Sequence, residues 1–362
     1  MATGWPMKVT YANGDVYSAS DVNDTNGTIN LLTSSTLSIA AGKNPFINGG
    51  FDIWQRGTSL TTTGGQAYTA DRWVTRTASG GGSVATSRQA TNDTTNLAFI
   101  RYCARFQRVA GNTDTGELNL FQMFETANSV PFAGKTVTLS FYARKGANYS
   151  PTSSVLNYRL TTGTGTDQNW ASYTGAVDAI NTNATLTTTW QRFTTTATLA
   201  SNISEMYLNI NMIPTGTAGA ADYFEITGVQ LELGSTATTF ARNASTIQGE
   251  LAACQRYYYQ TEKSTKYVFP GFSYSSAIFF AVAALPVSMR IAPTVVTSGT
   301  AGDYRVLQGG SFVTCNALPT FETATPEQVT IRYPAASGYT TGYGGAANGV
   351  NSNAFIGFSS EL

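Results

Sequence analysis

No histidine occurs among the 362 residues. Ser-His-Asp and Cys-His catalysis, histidine-ligated zinc and histidine proton shuttling are therefore excluded. Chemistry would have to come from carboxylates, thiols or aromatic faces. The acids that could meet in space are Glu117, Glu125, Asp167, Asp178 and Glu205. A glycoside-cleaving pair needs about 5–9 Å between its carboxyl groups. With only 21 acids and no long β-helical repeats in the chain, the expectation is a non-enzymatic protein. Cys103, Cys254 and Cys315 lie far apart and form no CxxC, so buried free thiols are expected, in a protein assembled in a reducing cytoplasm. Asp21, Asn23 and Thr25 open a calcium-loop spacing, but Gly27 comes one place late and Leu32 stands where the twelfth-position glutamate belongs. Neither a cofactor nor a metal site follows from the residues.

Aromatic residues offer a better lead. Tyr333, Tyr339 and Tyr343 lie in or beside a stretch from Ser337 to Asn353 rich in Gly, Asn and Tyr, expected to be a long exposed loop. Trp170 and Tyr173 sit in a second Gly/Thr/Asn-rich stretch. Aromatic faces flanked by Asn, Ser and Thr suit sugar recognition, which combines apolar stacking with polar edges. These five residues are the candidate sugar-binding set. The competing use of the same residues is a solvent loop or a contact between protomers.

The elements that must position them read as β-strands. Charged residues are 12% of the chain, about half the globular norm, and Gly and Thr fill the gap. Val137, Leu139 and Phe141 alternate with polar neighbours, as do Met206, Leu208, Ile210 and Met212. Phe224 and Ile226, then Val229, Leu231 and Leu233, repeat the period across a Thr227-Gly228 interruption. Period two with one polar face marks half-buried antiparallel strands. The fold class expected is all-β: a jelly-roll sandwich over 44–245, then a linker helix and a smaller β-sandwich over 246–362. The helix signal is the capping box Ser245-Thr246-Ile247-Gln248, with Ile247, Leu251 and Cys254 on one face. Ala277 to Ala284 is expected as a buried strand, and Phe355, Ile356 and Phe358 as the last one. Residues 1–43 are too few to bury a core of their own and are expected either to decorate the following domain or to dock on something else.

Charge balances at 21 against 21, with Lys and Arg scattered singly, so phosphate-driven nucleic-acid binding is not expected. The opening residues have neither a basic start nor an apolar stretch, which predicts no cleavable export signal. The most apolar run, Ala277 to Val287, is about half a membrane span, so no membrane insertion is expected.

Several strings are recognisable. Asn44-Pro45-Phe46-Ile47-Asn48-Gly49-Gly50-Phe51-Asp52-Ile53-Trp54-Gln55-Arg56-Gly57-Thr58 resembles the opening of a domain common in tailed-phage virion proteins, followed there by a Tyr-Thr-Ala-Asp-Arg-Trp element, here Tyr68 to Trp73. Phe224 to Glu232 is similar to that family's last strand, Ala252 to Tyr259 to the junction after it, and Leu285 to Thr294 to a motif of its C-terminal domain. Gly134 to Ala143 and Trp190 to Phe193 resemble the sugar-binding jelly rolls appended to xylanases. Gly14 to Asn23 resembles the leading segment of phage fibre proteins.

The resemblance implies a tail fibre or receptor-binding protein of a phage virion, assembled in the host cytoplasm and homotrimeric. It would attach to tail or adaptor proteins through residues 1–43, with Trp5, Val9, Tyr11, Val16 and Tyr17 as contacts, and meet a host polysaccharide at its far end. A head decoration or baseplate component is the alternative, and a capsule-degrading tail enzyme the second. A structural calcium in the jelly roll is implied by the resemblance alone. Within the Asn48–Arg56 string, Phe51, Trp54 and Trp73 are expected in the core, with Asp71 or Asp52 pairing to Arg56 or Arg72. The rival assignment makes Trp54 a sugar platform and Asp52 its polar anchor.

Overall fold

The computed structural model describes residues 44–263 and 265–362. The expected anchoring contacts Trp5, Val9, Tyr11, Val16 and Tyr17 lie outside the described residues. The chain is all-β, with one helix of more than a single turn among those residues.

The first six strands are β1 (Ser59–Thr63), β2 (Gly65–Tyr68), β3 (Val74–Thr77), β4 (Ser83–Ala90), β5 (Tyr102–Arg108) and β6 (Leu118–Met123). Six more follow: β7 (Thr136–Lys145), β8 (Val155–Gly163), β9 (Val177–Thr185), β10 (Gln191–Thr198), β11 (Glu205–Met212) and β12 (Tyr223–Leu233). They form two antiparallel sheets, ordered β1-β4-β5-β12-β7-β10 and β2-β3-β6-β11-β8-β9, a jelly-roll sandwich. Alternation along each strand fills the space between the sheets. Val137, Leu139 and Phe141 from one sheet meet Leu208, Ile210 and Met212 from the other in one apolar core. The Thr227-Gly228 interruption is a bulge in β12, where the register shifts between Thr227 and Gln230 and Gly228 takes φ +61°. The bulge returns Val229 and Leu231 to the core after Phe224 and Ile226; without it they would face outward. Leu233, past the end of that core, is exposed. Gly163 closes β8 and is buried.

The helix runs Ile247–Gln255, one residue later than the capping box predicts. Thr246 is the N-cap, its hydroxyl accepting the Gly249 N–H at 3.1 Å. Its buried residues are Glu250 and Cys254, while Ile247 is exposed. The carboxylate of Glu250 decides this orientation: it accepts the backbone N–H groups of Asn48 and Ala244, tying the helix to the opening string.

Ten strands follow the helix. They begin with β13 (Tyr258–Gln260), β14 (Tyr267–Ser275), β15 (Ile278–Ala284), β16 (Thr294–Thr297) and β17 (Tyr304–Gln308). The rest are β18 (Ser311–Thr314), β19 (Thr320–Ala324), β20 (Gln328–Pro334), β21 (Gly344–Gly349) and β22 (Ile356–Ser359). A three-stranded sheet, β13-β22-β16, and a seven-stranded sheet, β18-β17-β21-β14-β15-β20-β19, share a second core around Phe279, Val306, Ile331 and Phe358. β15 is half-buried rather than buried throughout, with Phe279, Ala281 and Ala283 inward.

The strings of residues 44–58, 68–73 and 252–259 meet at the junction between these two sandwiches. Phe46, Phe51, Trp54 and Trp73 are all buried, and Trp54 donates its indole N–H to the Phe51 carbonyl at 2.8 Å, so Trp54 is core rather than a sugar platform. The charge partners differ from expectation. Asp52 pairs with Arg242 at 2.8 Å, while Arg56 and Arg72 both reach Glu361 near the end of the chain. Asp71 is instead taken up by Gln55, which also donates to the Tyr258 carbonyl at 2.6 Å. Arg56 lies 3.5 Å over the Tyr258 ring and Arg72 3.6 Å over Tyr257. Two further pairs cross the junction, Glu125 with Arg256 at 2.9 Å and Asp167 with Arg290 at 3.7 Å. Sequence spacing favoured local partners; the return of residue 361 to this point supplied a distant one.

Candidate glycan-binding cleft

The sheet β2-β3-β6-β11-β8-β9 has a second face, pointing away from the jelly-roll core. Where Met206, Leu208, Ile210 and Met212 turn inward, Tyr207, Asn209 and Asn211 must turn outward. Strand register then lines up one residue from each of the six strands: Gln66, Arg76, Asn119, Asn211, Asn157 and Asn183. The neighbouring row reads Tyr68, Val74, Phe121, Asn209, Arg159 and Asn181. One end of this face is apolar and covered, with Val74, Phe121 and Met123 packed under Trp170, Tyr207 and Leu362. The other end is polar and open.

That open end is a cleft of about 790 Å³, within the ~300–1,000 Å³ range of small-molecule sites. Its floor is Asn157, Arg159, Asn181, Asn183 and Asn211, and Val155 and Ile213 add apolar surface at its rim. Asn157 donates to the side-chain carbonyls of Asn181 at 3.1 Å and Asn183 at 2.9 Å. Glu117 accepts from Arg159 at 3.1 Å and from the Asn211 amide. The Glu117–Arg159 pair leaves the floor electrically balanced.

Two polar atoms remain over. Asn211 is 4% exposed, yet its Oδ1 makes no hydrogen bond, and the Nε of Arg159 makes none either. An unsatisfied buried polar group costs about 1–3 kcal/mol. Both atoms are shielded from the surface, so what the cleft offers to ligand hydroxyls, which both donate and accept, is the accessible amides of Asn157, Asn181 and Asn183.

The residues singled out from sequence divide three ways. Trp170 lies on the same outer face, half-buried, its ring 5.5 Å from Phe121 and 4.7 Å from the Arg76 guanidinium, its N–H on Gln66 at 3.1 Å. Tyr173 sits edge-on to Tyr207 at 5.1 Å and donates to the Met206 carbonyl at 3.0 Å; burial raises its phenol pKa. Both belong to the covered end, not the open cleft. Tyr333 and Tyr339 are core residues, 2% and 4% exposed, and are not available to a host surface. Tyr333 continues the inward face of Val329 and Ile331 along β20, and Tyr339 packs 6.0 Å from Phe279.

Of that trio only Tyr343 is exposed, and it belongs to the other sandwich from Trp170 and Tyr173, so the five do not converge. The expected long loop over 337–353 contains β21, a central strand whose Ala347 and Asn348 are buried. A Cβ on Gly345 would come 2.5 Å from the Leu307 carbonyl, so its glycine reflects close strand packing rather than a free loop.

Of the candidate acids, Glu117 lies in the cleft, Glu125 and Asp167 serve the junction, and Asp178 accepts from Thr161 at 2.6 Å. Glu205 accepts the Gln168 N–H at 2.5 Å, and burial raises its pKa. Among the described residues, no group of three or more His, Cys, Asp or Glu stands close enough to hold a metal ion. The three cysteines are free and buried, and burial lifts the Cys315 thiol to about 12.

Sequence reasoning passed over Asn157, Arg159, Asn181 and Asn183. Their signal was present as pairs at period two: Asn157 with Arg159, Asn181 with Asn183, Asn209 with Asn211. Each pair lies on a strand whose opposite face is apolar.

No protein-family profile matches the sequence, and no curated protein does. Among solved structures, a CBM4 module is 20% identical, matching 52% of this chain and 98% of its own, with TM-score 0.32. The enzymatically active domain of bacteriophage CBA120 tailspike protein 4 is 13% identical over 53% of this chain and 21% of its own, TM-score 0.34. The TmCBM61 structure with β-1,4-galactotriose is 12% identical over 53% of this chain and 99% of its own, TM-score 0.28. At these scores the likenesses carry no functional weight.

Proposed function

We propose that this chain is a non-enzymatic, glycan-binding virion protein of a tailed phage, a fibre that holds a neutral polysaccharide segment in the cleft over β8, β9 and β11. The observation that carries the glycan reading is the amide-lined floor of balanced charge, with Asn157, Asn181, Asn183 and Asn211 around the Glu117–Arg159 pair. Amides present donors and acceptors side by side, which suits vicinal hydroxyls. A single charge pair offers no excess cation for an acidic polymer. The virion assignment is supported by the ordered strings of residues 44–58, 68–73, 224–232 and 252–259, and attachment through residues 1–43 belongs with it.

The test is calorimetry of the purified chain against host surface polysaccharide and neutral oligosaccharide fragments. Saturable binding that falls at least tenfold in Asn211→Leu and Asn157→Ala, with Tyr343→Ala unaffected, is expected. Equal binding by the cleft variants and wild type sinks the cleft. Release of reducing ends from the polysaccharide sinks the non-enzymatic part. Incorporation of protein lacking residues 1–43 into particles sinks the attachment role.

A further inference from the structure

The residues lining the cleft over β8, β9 and β11 include no aromatic side chain. Tyr68, Phe121, Trp170 and Tyr207 belong to the same sheet face but are gathered at its covered end. A sugar held by stacking lays its flat apolar face on a ring, and the open cleft offers no ring to receive one. Its apolar surface is aliphatic instead, and strand register fixes where that surface lies. Asn157 stands opposite Asn183 on β9 and Asn211 on β11, which makes one row of amides. Two residues back along β8 stands Val155, and Ile213, two residues beyond Asn211, carries the antiparallel course of β11 to the same level. Both line the cleft, Val155 half-buried and Ile213 63% exposed. Same-face residues two apart on a strand are separated by about 6.6 Å. An aliphatic row therefore runs beside the amide row at the span from the ring hydroxyls of a hexose to its C6 group.

We infer that the cleft selects 6-deoxyhexoses, seating ring hydroxyls on the amides of Asn157 and Asn183 and the C6 methyl group against Val155 and Ile213. The inference rests on the glycan reading of this cleft and names the sugar class. Asn157 donates its amide N–H to Asn181 and Asn183 at 3.1 and 2.9 Å, so its carbonyl is turned to a ligand, beside the N–H of Asn183. An acceptor next to a donor matches two neighbouring hydroxyls. A hexose with an ordinary hydroxymethyl group would bring its C6 hydroxyl against two hydrocarbon side chains, where it loses its water without gaining a partner. Thr215, on the same rim, has its hydroxyl proton committed to the Ser150 carbonyl at 2.6 Å. An acetamido sugar meets the two rows differently. Its methyl stands beside its own amide rather than across the ring, so a sugar bonded to the amide row through that group does not reach the aliphatic one.

Calorimetric titration of the full chain tests this, with oligosaccharides ending in L-rhamnose against L-mannose and in L-fucose against L-galactose. The members of each pair differ only in a methyl or a hydroxymethyl group at C5. Burial of one methyl favours its sugar about fourfold, and the stranded hydroxyl of the competitor adds to that. The 6-deoxy member of at least one pair is therefore expected to bind about fivefold tighter or more. Ile213→Thr, at an exposed position, should bring the two members within about twofold of each other. Equal binding within both pairs overturns the inference and leaves the glycan reading standing. A preference for N-acetylglucosamine over glucose with no preference at C6 overturns it in the same way. Titrations that stay flat for every sugar overturn it together with the glycan reading. A C6 preference that persists unchanged in folded Ile213→Thr and Val155→Thr proteins overturns the seat assigned to the methyl group.

Discussion

Glu361→Ala should loosen the junction between the two sandwiches more than any other single truncation near the chain end. Its carboxylate pairs with Arg56 at 3.1 Å and with Arg72, whose side chain is 2% exposed. Removing one partner of a buried ion pair costs about 3–5 kcal/mol, because a desolvated charge is left uncompensated. Arg72 keeps its hydrogen bond to the Met123 carbonyl at 2.8 Å and its place over the Tyr257 ring. A buried cation–π contact is worth up to about 2 kcal/mol, so the expected loss lies at the low end, about 3 kcal/mol. For a chain of this length that is a fall in Tm of about 4 °C. Calorimetry of wild type, Glu361→Ala and Glu361→Ala/Arg72→Met reads it. The double variant should recover most of the loss, since apolar replacement of a buried pair is close to neutral. A Tm change under 2 °C in Glu361→Ala, or no recovery in the double variant, would refute the reasoning.

Three other outcomes follow from the geometry. Thr246→Ala removes the N-cap of the helix and should cost about 1 kcal/mol by urea denaturation, with Thr246→Ser near neutral; equal losses for both would mean the cap is not what matters. Gly345→Ala presses a methyl toward the Leu307 carbonyl and should destabilise by about 1–3 kcal/mol in the same assay, and a neutral result would contradict the strand spacing. Burial holds the Glu205 carboxyl above its ordinary 4.5, so the folded chain keeps that proton longer than the unfolded chain does. Wild-type stability therefore falls as pH rises from about 4.5 through the raised value, whereas Glu205→Gln lacks this loss and should gain on wild type over that window. A wild-type-to-variant difference that stays constant from pH 4 to 8 rules the shift out.

The sandwich architecture was legible because period-two patterning is a local property. A strand that buries one face must alternate, and Val137-Leu139-Phe141 or Met206-Leu208-Ile210 state their inward face without reference to any other strand. The Thr227-Gly228 bulge was legible for the same reason, as a slip in phase that the apolar residues then correct. Lateral position was not legible. Tyr333 and Tyr339 looked like loop aromatics because they stand beside or within a glycine-rich stretch, but Tyr333 continues the inward face of Val329 and Ile331 and Tyr339 packs against Phe279, so both fill the core.

The sequence by itself determined the all-β class, the inward faces of the long strands, the burial of Phe51, Trp54 and Trp73, and the exclusion of histidine chemistry. Each follows from residue types or from spacings of a few positions. Only the tertiary structure decided that Asn157, Asn183, Asn119 and Asn211 stand in one row, because pairing register is set between strands that lie as much as 92 positions apart along the chain. It also decided that Glu361 answers Arg56 and Arg72 across 305 and 289 positions. Charge pairing falls off within about 10 Å in solution, so a partner is chosen by proximity in space, and proximity over such separations is a property of the folded chain alone.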